Sequence, residues 1–313
     1  MRSWIFMLIC VAVAAGIFGV AGLIGNDYAF FAGYVVLQFI VLAQAWNILG
    51  GYTGYVNFGS AAFFALGAYT SVFLYKFYPL PLPLLIGIAG VVSGLAGLGM
   101  GYLTLRLRGA FFAIATLAFA VVLQTLVVNW NYVGGARGAY VIRPDSVWLI
   151  GNYVHYLFLL MLTLAVLAIA TARAIERSRL GYGFATIRDD ELAAEASGVP
   201  TLRLKLIATT LSGAFMGMAG APLPYYIGYV QPAAAFGLDY AVNAIAMPMI
   251  GGTGTWFGPL LGAVLVASLQ QWATVSISSE LSLLVVGLLL VGFVIVAPGG
   301  IVGLVRRYLR SAS

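Results

Sequence analysis

The sequence predicts an all-α, polytopic membrane helix bundle of about ten transmembrane spans, with both termini cytoplasmic. Three observations carry that prediction. Of 313 residues, 63% are hydrophobic and 8% charged, against roughly 45–50% apolar and 25% charged in soluble domains. Charge-free runs close to the ~20 residues that cross a bilayer recur along the chain. The basic residues are shared unevenly between alternate connections. With no low-complexity or Ser/Pro-rich linker, residues 1–313 read as a single transmembrane domain carrying one charged loop at about 173–205.

In chain order the readable spans are Trp4–Ile24, Ala29–Leu49, Phe58–Tyr75, Leu82–Leu103, Phe111–Val128, Tyr153–Ala172, Leu206–Tyr226 and Leu281–Ala297. The first also has the makings of a signal peptide, with Arg2 ahead of an apolar stretch and Ala12-Val13-Ala14 as a cleavage site. The apolar run continues past that site, which favours a retained span. Tyr240–Gln271 is apolar but broken by GGTGTWFGP (Gly251–Pro259), as one kinked helix or two short ones. Placing Arg173–Lys205 and Arg306, Arg307 and Arg310 on one side requires an even number of crossings here. Two short spans, about Tyr240–Ile250 and Trp256–Gln271, satisfy that parity and bring the total to ten.

That topology puts twelve Lys and Arg residues inside and leaves Lys76, Arg137 and Arg143 outside, a strong positive-inside bias. Trp130, Tyr132, Trp148, Tyr225 and Tyr226 fall at the predicted interfaces. Ten spans divide into two sets of five, and because five is odd, a repeat between the halves would be inverted.

Several function classes are excluded. The net charge is +6, but the basic residues form no dense patch, so nucleic acid is not a partner; the expected surroundings are lipid. Cys10 alone builds no disulfide, and one histidine, His155, builds no metal site. No G-x-x-x-x-G-K-[ST] loop occurs to cradle nucleotide phosphates, so neither catalysis nor a cofactor is expected of this chain. The spans contain no Asp, Glu, Lys or Arg, with His155 at the outer end of one, and so lack the carboxylates of a proton relay, which leaves a stand-alone sodium-coupled carrier or channel open.

What the spans do contain is small residues and amides. Gln38, Gln44, Asn47, Gln124 and Asn243 are costly in lipid and should face the bundle interior, either lining a polar pathway or bonding a neighbouring helix. Gly51 and Gly54 in GGYTGYVNFG, and Gly251, Gly252, Gly254 and Pro259 in GGTGTWFGP, mark helix breaks.

Within the charged loop, DDELAAEAS is made of good helix formers. Asp189 and Asp190 are expected in a first turn, Gly198 at the C-terminal cap and Pro200 as the stop. The outcome is a short surface helix that either joins two spans or docks a soluble partner.

The segment ATIRDDELAAEASGV resembles the cytoplasmic coupling loop of binding-protein-dependent ABC permeases, with its Glu-Ala-Ala-x-x-x-Gly pattern. Ala193, Ala194 and Gly198 match, while Leu192 stands where the Glu would be and Glu191 lies one place earlier. Gly181, Tyr182 and Gly183 depart from the Gly-Arg-Ala that often precedes the loop helix. Asn47–Thr70, Leu105–Ala120, Val133–Ile142, Met249–Leu265 and Ala297–Leu304 resemble, in order, the M-type permease subunits of branched-chain amino acid ABC transporters.

The resemblance implies a multi-pass subunit of the bacterial inner membrane. Its implied partners are a homologous H-type permease, two cytoplasmic ATP-binding subunits that consume ATP, and a periplasmic substrate-binding protein. The ATP-binding subunits would grip Arg188, Asp189, Asp190, Glu191, Ala193, Ala194 and Gly198. The implied cargo is branched-chain or related hydrophobic amino acids, with urea, short amides or aromatic compounds as the alternatives carried by relatives.

Overall fold

The structure, a computed structural model, describes residues 3–24, 27–78, 80–143, 146–147, 151–276, 279–296 and 299–311. Arg2, Trp148 and Ala297, which entered the topology above, lie outside the described residues. The elements run α1 (Ser3–Ile24), α2 (Asp27–Thr53), α3 (Ser60–Phe77), α4 (Leu82–Thr104), α5 (Ala110–Val128), β1 (Ala139–Tyr140), β2 (Ser146–Val147), β3 (Gly151–Asn152), α6 (Tyr153–Glu176), α7 (Arg179–Asp189), α8 (Glu191–Ala196), α9 (Thr201–Gly220), α10 (Leu223–Ile227), β4 (Tyr229–Val230), α11 (Pro232–Ala235), α12 (Leu238–Gly251), α13 (Phe257–Ser276), α14 (Ser279–Val296) and α15 (Gly300–Ser311). The fold is all-α apart from two antiparallel strand pairs, β1 with β4 and β2 with β3.

Every expected span falls on a helix, but the count of ten is corrected. Among the described residues, six helices are long and apolar enough to cross a membrane: Asp27–Thr53, Leu82–Thr104, Ala110–Val128, Tyr153–Glu176, Thr201–Ile227 and Pro232–Gly251. The described apolar part of α1, Leu8–Gly19, is too short. α3 is diluted by Ser60, Thr70, Ser71 and Lys76, and α13 by Gln270 and Gln271. The stretch expected as a short span at Tyr240–Ile250 is longer, because α11 extends α12 backwards to Pro232.

α2 sits at the centre. Every residue from Leu37 to Leu49 is buried, as befits a helix that is apolar all round, and α6, α9, α12 and α13 pack around it. The tightest pair is α4 with α9. A Cβ on Gly97 would lie 2.8 Å from the Thr209 carbonyl oxygen, and one on Gly213 2.9 Å from that of Ser93. Small residues here let two backbones meet, the source of packing energy where apolar burial drives nothing. Of the six long apolar helices, α5 is the least covered, with 22% of its apolar window buried, and it turns Phe111, Ile114, Val121, Val122 and Leu126 outward.

The two ends of the bundle differ in chemistry. At one, Asp27 Oδ1 accepts from Asn152 Nδ2 at 3.2 Å and lies 3.3 Å from His155 Nε2, and Lys76 Nζ donates to the Tyr132 carbonyl at 2.9 Å. At the other, the Phe6 ring of α1 meets Trp256 edge-on at 5.2 Å, the start of α15 packs on Gly252, and α7 and α8 bring the charged loop alongside.

Candidate functional site

The charged loop folds as two helices where the sequence suggested one. α7 begins at Ser178, whose Oγ accepts from the Gly181 amide at 3.4 Å. Its two glycines, Gly181 and Gly183, are there for close approach. A Cβ on Gly181 would run into the Ile175 carbonyl, and one on Gly183 would lie 2.7 Å from Leu204 Cδ1. Asp189 ends α7, so the expectation that Asp189 and Asp190 share a first turn is corrected. Asp190 is extended, at φ −159°, and its carboxylate accepts from the Leu192 and Ala193 amides at 2.9 and 3.1 Å, capping α8.

α8 ends as its glycine predicts. Gly198 has φ +81°; its amide donates to the Glu195 carbonyl at 2.9 Å, and the Val199 amide reaches back to that of Ala194 at 3.0 Å. This paired closure is a Schellman motif, and its left-handed residue favours glycine. Ala194 is buried beneath the helix, while Leu192 is exposed at the surface.

Glu191 is the pivot of the site. Lys205 Nζ donates to its Oε1 at 2.6 Å, the Tyr55 hydroxyl donates to its Oε2 at 2.5 Å, and Arg108 Nε lies 3.5 Å from Oε2. Lys205 also donates to the Leu105 carbonyl at 2.9 Å and to the Tyr55 hydroxyl oxygen at 3.2 Å. With the Glu191 and Lys205 side chains only 12% and 4% exposed, burial alone would raise the Glu191 carboxyl. The hydrogen bonds from Lys205 and Tyr55 and the charges of Lys205 and Arg108 outweigh it and hold the group below its ordinary value. Burial and the bond to Glu191 push the Tyr55 phenol up. One carboxylate thus joins α8 to α9, to the α2–α3 turn and to the α4–α5 turn.

Arg188 makes the second connection. Its Nη1 donates to the Gly51 carbonyl at 3.5 Å and lies over Gly254, where a Cβ would be 2.6 Å away. The two glycine-rich breaks, some 200 residues apart in sequence, therefore share one place. Gly51 is still within α2, whereas Gly54, with φ +78°, ends it. Gly251 closes α12, and Gly252 and Gly254 follow with φ +119° and +75°. Pro259 is the third residue of α13, where a missing N–H costs little. Asn47 clamps the turn: its Nδ2 donates to the Thr255 carbonyl at 3.0 Å and its Oδ1 accepts from the Gly254 amide at 3.1 Å. Gln44 Nε2 donates to the Trp256 carbonyl at 2.6 Å, and Glu176 accepts from the Trp256 amide at 2.8 Å.

The other amides lie deeper. Gln38 Nε2 donates to the Ala219 carbonyl at 3.1 Å, and Asn243 Oδ1 accepts from Gln270 Nε2 at 2.9 Å. Gln124 is half-buried on α5, apart from the others. Sequence reasoning missed Tyr55, Arg108, Glu176 and Lys205 as site residues. The signal was a lysine at the start of an apolar helix, fourteen positions after Glu191.

Thr53, Val56, Arg108, Ala113, Ile187 and Arg188 line an open cleft of about 340 Å³ beside Glu191. No grouping of His, Cys, Asp and Glu that could hold a metal occurs among the described residues. What the arrangement does is tie α7–α8 to the helices behind them through Glu191 and Arg188.

The family described as branched-chain amino acid transport system / permease component matches residues 28–294. The chain is 30% identical to the high-affinity branched-chain amino acid transport system permease protein LivM of Salmonella typhimurium, over 89% of this chain and 71% of that one. It is 23% identical to the probable branched-chain amino acid transport permease protein LivH of Methanocaldococcus jannaschii, over 80% and 84%. It is 26% identical to the autoinducer 2 import system permease protein LsrC of an Enterobacter species, over 62% and 56%. No solved structure matches the chain significantly.

Proposed function

The chain belongs to the branched-chain amino acid transport system permease family, and we propose that it is the M-type translocating subunit of an ATP-driven importer of the bacterial inner membrane. Its cargo in this reading is branched-chain or related hydrophobic amino acids, handed over by a periplasmic binding protein. An H-type permease completes the pathway, and two cytoplasmic ATP-binding subunits supply the work. No covalent step and no cofactor belongs to this chain.

The observation that carries the reading is the Glu191 junction. α8 is too short to act as a lever by itself, and an exposed loop would dissipate any push. Instead, a movement imposed on α7–α8 reaches α9 through Lys205, the α2–α3 turn through Tyr55, and the α4–α5 turn through Arg108. Through Arg188 it also reaches the Gly251–Thr255 turn that Asn47 holds. Closure of the ATP-binding subunits would thus tilt several spans together, which alternating access requires. The exposed Leu192 is the natural docking contact on α8, and Glu191, one place early, serves the permease side of the interface.

Co-expression of the chain with its three kinds of partner, followed by reconstitution, tests this. Leucine uptake should require ATP and the binding protein; uptake by this chain alone would overturn the proposal. Calorimetry on the binding protein tests the cargo, with tight leucine binding expected. Tight urea binding and no leucine binding would reassign the cargo while leaving the ATP-driven class intact.

A further inference from the structure

The last helix, α15, belongs to neither the bundle core nor the Glu191 junction. It follows α14, an 18-residue apolar helix, after only three residues, so its start is held at the edge of the apolar layer. Gly300, at φ +66°, sits where a Cβ would fall 2.5 Å from the Gly252 amide nitrogen, and Val302 packs over Gly252. Past that anchor the sequence divides by face. Arg306, Arg307 and Arg310 are spaced i, i+1 and i+4, with Gly303 one turn before them, while Ile301, Leu304, Val305 and Tyr308 recur on the other side. Leu304 and Val305 are 42% and 53% exposed, and Arg306 and Arg307 are exposed as well. Among the described residues no carboxylate pairs with either arginine.

We propose that α15 is a binding site for anionic phospholipid headgroups. A basic amphipathic helix tethered at the end of an apolar one lies in the interface plane, its apolar face among acyl chains and its cations at headgroup level. Guanidinium groups match phosphate oxygens in a two-pronged geometry that a zwitterionic surface compensates with its own cation. Lipid is favoured over a protein occupant because the exposed Leu304 and Val305, on the face away from the arginines, need an apolar partner while the arginines need an anionic one, and one bilayer surface supplies both. Because Gly300 rests on Gly252, lipid bound here bears on the turn that Asn47 and Arg188 hold. The proposal rests on membrane insertion of the chain and is independent of its cargo and of its ATP-binding partners.

The test is hydrogen–deuterium exchange over residues 300–311 of the full-length chain, in nanodiscs of phosphatidylcholine with or without phosphatidylglycerol. Phosphatidylglycerol should slow exchange there, and high salt should abolish the difference. The R306Q/R307Q/R310Q variant should lose the lipid preference by about fivefold for each charge removed, and the R306K/R307K/R310K variant should keep most of it. The salt titration needs no variant, so a poorly folded one leaves the test intact. Exchange that ignores phosphatidylglycerol would overturn the proposal. So would protection that comes only with added ATP-binding subunits, which would make α15 a protein-docking face.

Discussion

Glu191 and Lys205 meet at 2.6 Å across the α8–α9 turn, with the Tyr55 hydroxyl donating to the other carboxylate oxygen at 2.5 Å. Both side chains are nearly out of solvent. Removing one partner of such a pair strands the other, which costs far more than removing both. Lys205→Met should therefore lower the stability of the chain by about 3 kcal/mol. The E191Q/K205M double variant should recover part of that loss, as thermal unfolding in detergent would report. A double-variant loss equal to the sum of the E191Q and K205M losses would mean that the two groups are not coupled.

The same pair sets a pH response. The folded-state Glu191 carboxyl titrates below its ordinary value, so its contribution is present above the unfolded value of about 4.3 and is lost as pH falls through the lower folded one. Thermal unfolding of the wild type should show no Glu191-dependent slope from neutral pH down to about 5 and a decline below about 4. Glu191→Gln should be less stable at neutral pH and lack that component of the acid decline.

Asp190 caps α8 through two backbone amides. Asp190→Ala should cost about 1 kcal/mol, while Asp190→Asn, another good cap, should cost little. Hydrogen exchange of the Leu192 and Ala193 amides is the direct readout, and it should quicken in the alanine variant only.

Asn47 holds the Gly254–Thr255 turn with both ends of its amide. Asn47→Leu leaves a part-buried amide and carbonyl without their partner, at about 1 kcal/mol. Exchange should rise at Gly254 and, because Arg188 lies over the same glycine, the α7 end should loosen with it. Loosening confined to the turn would count against a link between the two.

Much of the fold could be read from apolar runs, because a bilayer leaves the backbone few options, and each expected span is a helix. The number of long apolar spans was harder to read. Residues such as Lys76 and Gln270 lower the hydropathy of helices that the run-counting accepts. In the charged loop, Gly198 and Pro200 mark the end of α8 as local rules require. α7 was hidden because nothing local shows that Gly181 and Gly183 lie in a helix packed against Ile175 and Leu204. The Glu191 partners were hidden for a different reason. Tyr55 and Arg108 lie 136 and 83 positions from Glu191, and Thr255 lies 208 from Asn47, and no periodicity encodes contacts set by how α2, α4 and α9 pack.

In the proposed function, the Glu191–Lys205 junction carries the movement of the ATP-binding subunits into the spans. The direct measurement is leucine uptake per ATP hydrolysed, in proteoliposomes holding the assembled transporter with wild-type chain or with Lys205→Met. Hydrolysis by the assembled variant should persist while uptake per ATP falls by roughly tenfold or more, the effect of about 1.4 kcal/mol lost from the coupled step. An unchanged ratio in a fully assembled variant would contradict it.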